Sequence, residues 1–319
     1  MVALASCTAL VYKKDNAALM RGILPKEFVS TFGLQHLHGV YTVIPTIIQN
    51  EEYKLLDLEY HQERLMSSLE TLLSLHNHPL DCSLDGINSM IRDCIKQDDS
   101  IVDSYGITTI CLGVDALSNS LIAKNMFSTN NGCNYHSMYQ KYNENNDETS
   151  FVVNTCVYER TLPEVKSCSW PIDRIPLEVN RLRDYSETII CSATYNDLIL
   201  KEGLVSNLFF IRENKLLTSS YPVLPGSMAK LVIQIAQQNG FTVEYTELSS
   251  AILQSNYAQG AFLTSATKPM QRISGIVDLK GDMIFDSSKS GADASNSMTR
   301  LRKLLLYSLI HDKSLWTLL

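Results

Sequence analysis

The chain has no surplus of basic charge. Its 27 Lys and Arg are outnumbered by 34 Asp and Glu, for a net charge of −7. A nucleic-acid surface needs cationic excess to displace counterions, so that class of partner is excluded. No apolar run reaches about 18 residues, so no transmembrane helix is expected. The N-terminus, residues 1–12, is apolar, but its basic pair Lys13-Lys14 follows the apolar part. That is the wrong order for a secretory signal, and the segment reads as a first strand.

Paired cysteine spacing is also missing. Cys7, Cys82, Cys94, Cys111, Cys133, Cys156, Cys168 and Cys191 include no C-x-x-C, and no N-x-[ST] acceptor occurs. Buried free thiols and a cytoplasmic location are the expectation. The absence of G-x-S-x-G, G-x-G-x-x-G and a Walker loop removes the signatures of a hydrolase elbow and two nucleotide cradles. His36-x-His38 and His76-x-His78 have no fixed Cys or acidic partner nearby, so no metal is expected.

What is present suits a globular chain. Of 319 residues, 45% are hydrophobic and 19% charged, enough for about two domains. Apolar spacing at Leu65, Leu69, Leu72 and Leu73 predicts a helix after Asp57, which reads as its cap. A second helix is predicted from Ile87 to Ile95. Strands are predicted near 6–12, 39–44 and 107–113. The polar, Asn-rich stretch 134–150 has no periodicity and reads as a loop. Beyond it come strands near 151–157, 187–192, 208–212, 241–245, 260–264 and 272–277. A helix over 227–238 ends at Gly240, and another spans 297–309. The fold class is α+β. The division reads as a small N-terminal α+β domain over 1–135, a linker over 136–150 and a larger strand-rich domain over 151–319.

Two residues stand out for chemistry. Lys166 follows the apolar run 151–157, where a lysine is costly unless solvated or paired, and where burial favours its neutral, imine-forming amine. Glu202 precedes Gly203 and the apolar run 208–212. A carboxylate there suits a protonated ring nitrogen. Each residue alone reads most simply as a surface side chain in a turn.

Several segments could receive a phosphate. Leu224-Pro225-Gly226 leads into the helix starting at Ser227, and the amides of Ser227 and Met228 fall in its first turn. Phe262-Leu-Thr-Ser-Ala266-Thr267 places hydroxyls after a strand. Arg64, on the amphipathic helix, can fork onto a phosphate.

The order H-x-x-R-L, Lys, E-G-x-x-[ST]-N-x-F, L-P-G and F-L-T-[ST] resembles the class IV aminotransferase family, the fold-type IV pyridoxal phosphate enzymes. That family includes branched-chain and D-amino-acid aminotransferases and aminodeoxychorismate lyase. The resemblance spans roughly 39–277 and is nearest to a poorly characterised eukaryotic branch. It implies a two-domain enzyme with pyridoxal 5′-phosphate between the domains. It implies a homodimer, with an amino acid and a 2-oxo acid as the small-molecule partners.

Carried over by residue, Lys166 forms the aldimine and then shuttles the proton, and Glu202 pairs with the pyridine nitrogen. Arg64, Ser227, Met228, Ala266 and Thr267 hold the phosphate. Leu224 packs on the ring, and Tyr41 lines the substrate side. Two alternatives stay open: a lyase of the same fold, and a silent relative acting as a binding protein. The strand 107–115 carries no arginine for a substrate carboxylate.

Overall fold

The structure, a computed structural model, describes residues 7–9, 25–50, 52–77, 85, 89, 104–115, 121–129, 150–179, 185–195, 197–254, 258–289 and 292–319. The predicted helix over 87–95 apart from Ser89, residues 136–149 of the expected linker, His78, Cys82, Cys94 and Cys133 lie outside them.

The strands, in chain order, are β1 Cys7–Ala9, β2 His36–Gln49, β3 Glu52–Leu56, β4 Ser104–Asp115, β5 Leu121–Thr129, β6 Phe151–Val157, β7 Thr188–Ala193 and β8 Leu198–Gly203. They continue with β9 Asn207–Arg212, β10 Lys215–Ser219, β11 Thr242–Thr246, β12 Leu248–Ser249, β13 Gly260–Ser265, β14 Lys268–Val277, β15 Met283–Asp286 and β16 Trp316–Leu318. The helices are α1 Pro25–Gln35, α2 Leu58–Leu75, α3 Trp170–Asp173, α4 Ile175–Val179, α5 Ser227–Gln238, α6 Ser250–Gln254 and α7 Ala292–His311. No helix among the described residues is long and apolar enough to cross a membrane.

Two compact units divide the chain. The first is Met1–Asn134 with Val165–Asp173 and Lys313–Leu319. The second is Tyr135–Glu164 with Arg174–Asp312. The sequence reading gave everything after 150 to one domain. The structure instead returns two later segments to the first unit, because each adds backbone hydrogen bonds to its sheet. β16 pairs with β3, and residues 166–168 pair with β2.

The first unit is built on a six-stranded sheet in the order β1-β5-β4-β2-β3-β16. The amphipathic helix α2 buries Leu58, Leu65, Met66, Leu69, Leu72 and Leu73, each worth about 1.5–3 kcal/mol relative to exposure. Asp57 precedes it in the left-handed region, φ 47, and makes no side-chain cap hydrogen bond, so the expected Asp57 cap is corrected. Its backbone carbonyl accepts from His61 N–H instead. Helix α1 contributes Phe28, Val29 and Phe32 to a cluster with Tyr41, Cys111 and Cys168.

In the second unit, β9-β13-β14-β6-β7-β8 lie side by side, and β8 pairs back onto β9. The six strands therefore close into a ring, which removes two open edges. The closing seam is one pairing, Glu202 with Asn207. Leu208, Phe210, Ala261, Leu263, Ile273, Ile276, Val153, Ile189 and Leu200 share one buried core. On the alternate positions Phe209 stacks on Phe262, with centroids 5.2 Å apart. Helix α5 matches its predicted span. Its buried positions 228, 231, 232, 235 and 236 follow the helical period. It ends at Gly240, φ 82, with Phe241 N–H on Ala236 O at 2.9 Å.

Candidate active site

In the first unit, the segment 166–168 is held as an added strand on the free part of the β2 edge. Tyr41 N–H donates to Lys166 O at 3.0 Å, and Cys168 N–H donates to Gly39 O at 2.7 Å. Lys166 N–H donates to Ser68 Oγ, on α2, at 3.2 Å. Close packing completes the fixation: a Cβ on Gly33 would lie 2.9 Å from Cys168 Cβ and 3.0 Å from its carbonyl oxygen. Lys166 therefore does not extend β6, as its place in the sequence suggested. Two hydrogen bonds of its own backbone, one at Cys168 and the packing of Gly33 tie the segment to β2, α2 and α1 of the first unit.

The Lys166 ammonium sits 4.6 Å from the centroid of the Tyr41 ring. That is cation–π distance, and it orients a flexible side chain. Ser68 lies one helical turn after Arg64 on α2. Arg64 is buried, donates from Nη2 to Thr42 Oγ1 at 2.9 Å and lies over Tyr60. Thr42 Oγ1 also bonds His61 Nδ1 at 2.7 Å. Burial pushes the Arg64 guanidinium below its ordinary value, against the pull of Tyr60, Tyr41 and Asp57. A buried guanidinium gains from an anion. The first unit thus brings Tyr41, Arg64 and Lys166 together.

In the second unit, Glu202 and Asn207 both grip the backbone of Leu224. Leu224 N–H donates to Glu202 Oε2 at 3.1 Å, and Asn207 Nδ2 donates to Leu224 O at 2.8 Å. The turn between them is closed by Gly203 N–H on Ser206 O at 2.8 Å. These bonds give E-G-x-x-S-N a physical meaning: a tight turn aligns two side chains that deliver the loop into α5. Gly226 is needed for space, since a Cβ there would occupy the position of Asn207 Oδ1.

Helix α5 begins with a cap that has no side chain and a first turn with no acidic residue. Its positive dipole end is left uncompensated by the helix's own residues, which suits an anion at the Ser227 and Met228 amides. The strand registers place Glu202, Asn207 and Thr264 in one row across β8, β9 and β13. Just beyond Thr264, Ala266 and Thr267 form the two-residue turn into β14, with Ser265 opposite Lys268. Glu202, Leu224, Ser227, Met228, Ala266 and Thr267 therefore gather at one end of the ring.

Sequence reasoning missed Arg160. Its Nη1 lies 2.6 Å from Glu202 Oε1, with side chains 8% and 5% exposed. Glu202 and Arg160 are 42 residues apart, so no local pattern signals the pair. The one available clue was an arginine just after a predicted buried strand.

Each unit by itself carries groups of the kinds pyridoxal phosphate needs. The first has an amine on a fixed backbone and a buried guanidinium that suits a phosphate, and the second has a buried carboxylate that suits a protonated ring nitrogen and a helix start that suits a phosphate. When bound, that cofactor supplies an electron sink for the bonds at an amino acid's Cα.

The sequence model described as amino-transferase class IV matches residues 39–276. No curated protein sequence matches the chain. Among solved structures, a branched-chain amino acid aminotransferase from Thermobaculum terrenum (M4 mutant) superposes with TM-score 0.62 at 16% identity, covering 90% of each chain. A hypothetical aminotransferase from Mycobacterium tuberculosis in a PLP-bound form gives 0.60 at 15%, covering 86% of this chain and 89% of that one. The Escherichia coli branched-chain enzyme gives 0.60 at 15%, covering 84% and 85%. Identity this low shows a shared fold.

Proposed function

The chain belongs to the class IV aminotransferase family, and from that premise we propose that it moves an amino group between an amino acid and a 2-oxo acid, with pyridoxal 5′-phosphate held by the residues above. Lys166 is the amine that takes the cofactor and then moves the proton at the substrate Cα. Glu202 faces the ring nitrogen, and its buried negative charge favours the protonated ring. Arg64 and the Ser227 and Met228 amides hold the phosphate, with Ala266 and Thr267 beside them. Leu224 covers one face of the ring, and Tyr41 lines the substrate side. A homodimer in the cytoplasm goes with this reading.

One observation carries it. The Lys166 backbone is hydrogen-bonded at both its N–H and its carbonyl while its ammonium lies over an aromatic ring, an arrangement that suits a nucleophile more than a surface lysine. Lys201, the nearby alternative in sequence, is engaged by Glu159 at 2.7 Å. The purified protein should therefore carry or take up a visible absorption band that borohydride bleaches. Lys166→Ala should abolish borohydride fixation, and Lys201→Ala should retain it. Wild-type protein that stays colourless with added cofactor would overturn the assignment.

A further inference from the structure

Arg160 is unclaimed by the roles assigned so far, yet its guanidinium pairs with the Glu202 carboxylate at 2.6 Å. We propose that Arg160 is a positioning residue: it fixes the orientation of Glu202 and keeps it ionised, so that the carboxylate meets a protonated ring nitrogen in one geometry. The inference rests on the reading of Glu202 as the ring-nitrogen partner.

The geometry is specific. Arg160 Nη1 is 2.6 Å from Oε1, and Leu224 N–H is 3.1 Å from Oε2. The two oxygens are held from two directions, so the carboxylate plane is set. A carboxylate has about four lone-pair sites, so it can accept from more than these two donors. Both side chains are at least nine-tenths buried. In such a place an unpaired carboxylate is costly, and a guanidinium beside it favours the charged form. Arg160 lies just past the end of β6, Phe151–Val157, two strands from β8 in the ring, so it reaches Glu202 from a different part of the chain than the Glu202 turn.

Arg160 acts through Glu202, and this role does not require it to touch the cofactor.

The test compares wild type, Arg160→Met, Arg160→Lys and Arg160→Met/Glu202→Gln. In the cofactor-free proteins, Arg160→Met removes the guanidinium that lies 2.6 Å from Glu202, so the variant's folded state holds the charged carboxylate less favourably than wild type does. Its loss of stability should then be full at neutral pH and shrink as pH falls toward about 4, the unfolded glutamate range. Adding Glu202→Gln should remove that pH dependence. A loss equal at every pH would mean that Arg160 only packs, and would overturn the proposal.

With cofactor, binding is measured for pyridoxal phosphate and for its analogue with carbon in place of the ring nitrogen. Arg160→Met should weaken pyridoxal phosphate by about tenfold or more, the scale of one charge-assisted hydrogen bond. The analogue should be little affected, and Arg160→Lys should recover part of the loss. If wild type binds pyridoxal phosphate and Arg160→Met weakens both ligands equally, this inference fails while the proposed function stands. If wild type binds neither, the proposed function fails and takes the inference with it.

Discussion

The clamp on Leu224 makes a quantitative prediction about two residues 19 positions apart. Asn207 Nδ2 donates to Leu224 O at 2.8 Å, and Gly226 leaves the space in which Asn207 Oδ1 sits. Asn207→Ala deletes the donor and leaves a half-buried carbonyl unsatisfied, at about 2 kcal/mol. Gly226→Ala puts a methyl where Oδ1 lies, so the amide must swing away and the same bond is lost. The alanine also caps α5 less well than glycine, adding about 0.5–1 kcal/mol. Each single variant should then cost about 2–3 kcal/mol. In the double variant Oδ1 is already gone, so the new methyl meets open space and only the capping part remains. The total should be near 3 kcal/mol rather than the additive sum of about 5, a coupling of about 2 kcal/mol. Urea unfolding of the four cofactor-free proteins measures this through midpoints at constant slope. Additive costs, or a Gly226→Ala protein as stable as wild type, would refute the steric linkage.

Two further outcomes follow from the second unit. Asp197 accepts from Ser249, Ser250, Ala251 N–H and Leu198 N–H; burial opposes ionisation, but these bonds outweigh it and hold the carboxyl below its ordinary value. Its stabilising contribution is present above the unfolded aspartate value and lost as pH falls through the lower folded one. Unfolding curves of wild type and Asp197→Asn should differ most above about pH 5 and converge in acid, and a gap that widens on acidification would contradict the assignment. Burial pushes the Cys156 thiol up to about 11 and, with Cys156 itself adding to the effect, Cys191 to about 12. At pH 8 only about one Cys156 in a thousand is thiolate, so iodoacetamide should label neither cysteine until the protein unfolds, and rapid labelling of the native chain would refute this.

Sequence pattern carried some elements to within a residue and missed others for physical reasons. Helix α5 was legible because apolar positions at 3.6-residue spacing coincide with a glycine whose φ is 82 at its end. β13 and the core of β14 were legible as apolar runs. β8 was read as a turn, since Asn196-Asp197 and Lys201-Glu202-Gly203 bracket only three apolar residues; the ring, not local propensity, makes it a strand. β5 and α1 were missed because LIAKNMFST and PKEFVSTFGLQ alternate irregularly, and their places depend on partners far along the chain. For the site, the motif around Glu202 was visible and its mechanical role was not. Gripping Leu224 depends on a loop 17–22 residues away. Lys166 was found by order along the chain, but its attachment to β2 needed a pairing between residues more than 120 positions apart, Val40 and Ser167.

The seam that closes the ring of strands has an evolutionary implication. One residue pair, Glu202 with Asn207, both joins β8 to β9 and steadies the loop into α5. Selection on folding alone would then preserve Glu202, even in a descendant that had abandoned turnover. Drift toward a new role would be recorded first at positions outside the seam, and redesign of this scaffold has freer choice at the Lys166 side chain than at Glu202.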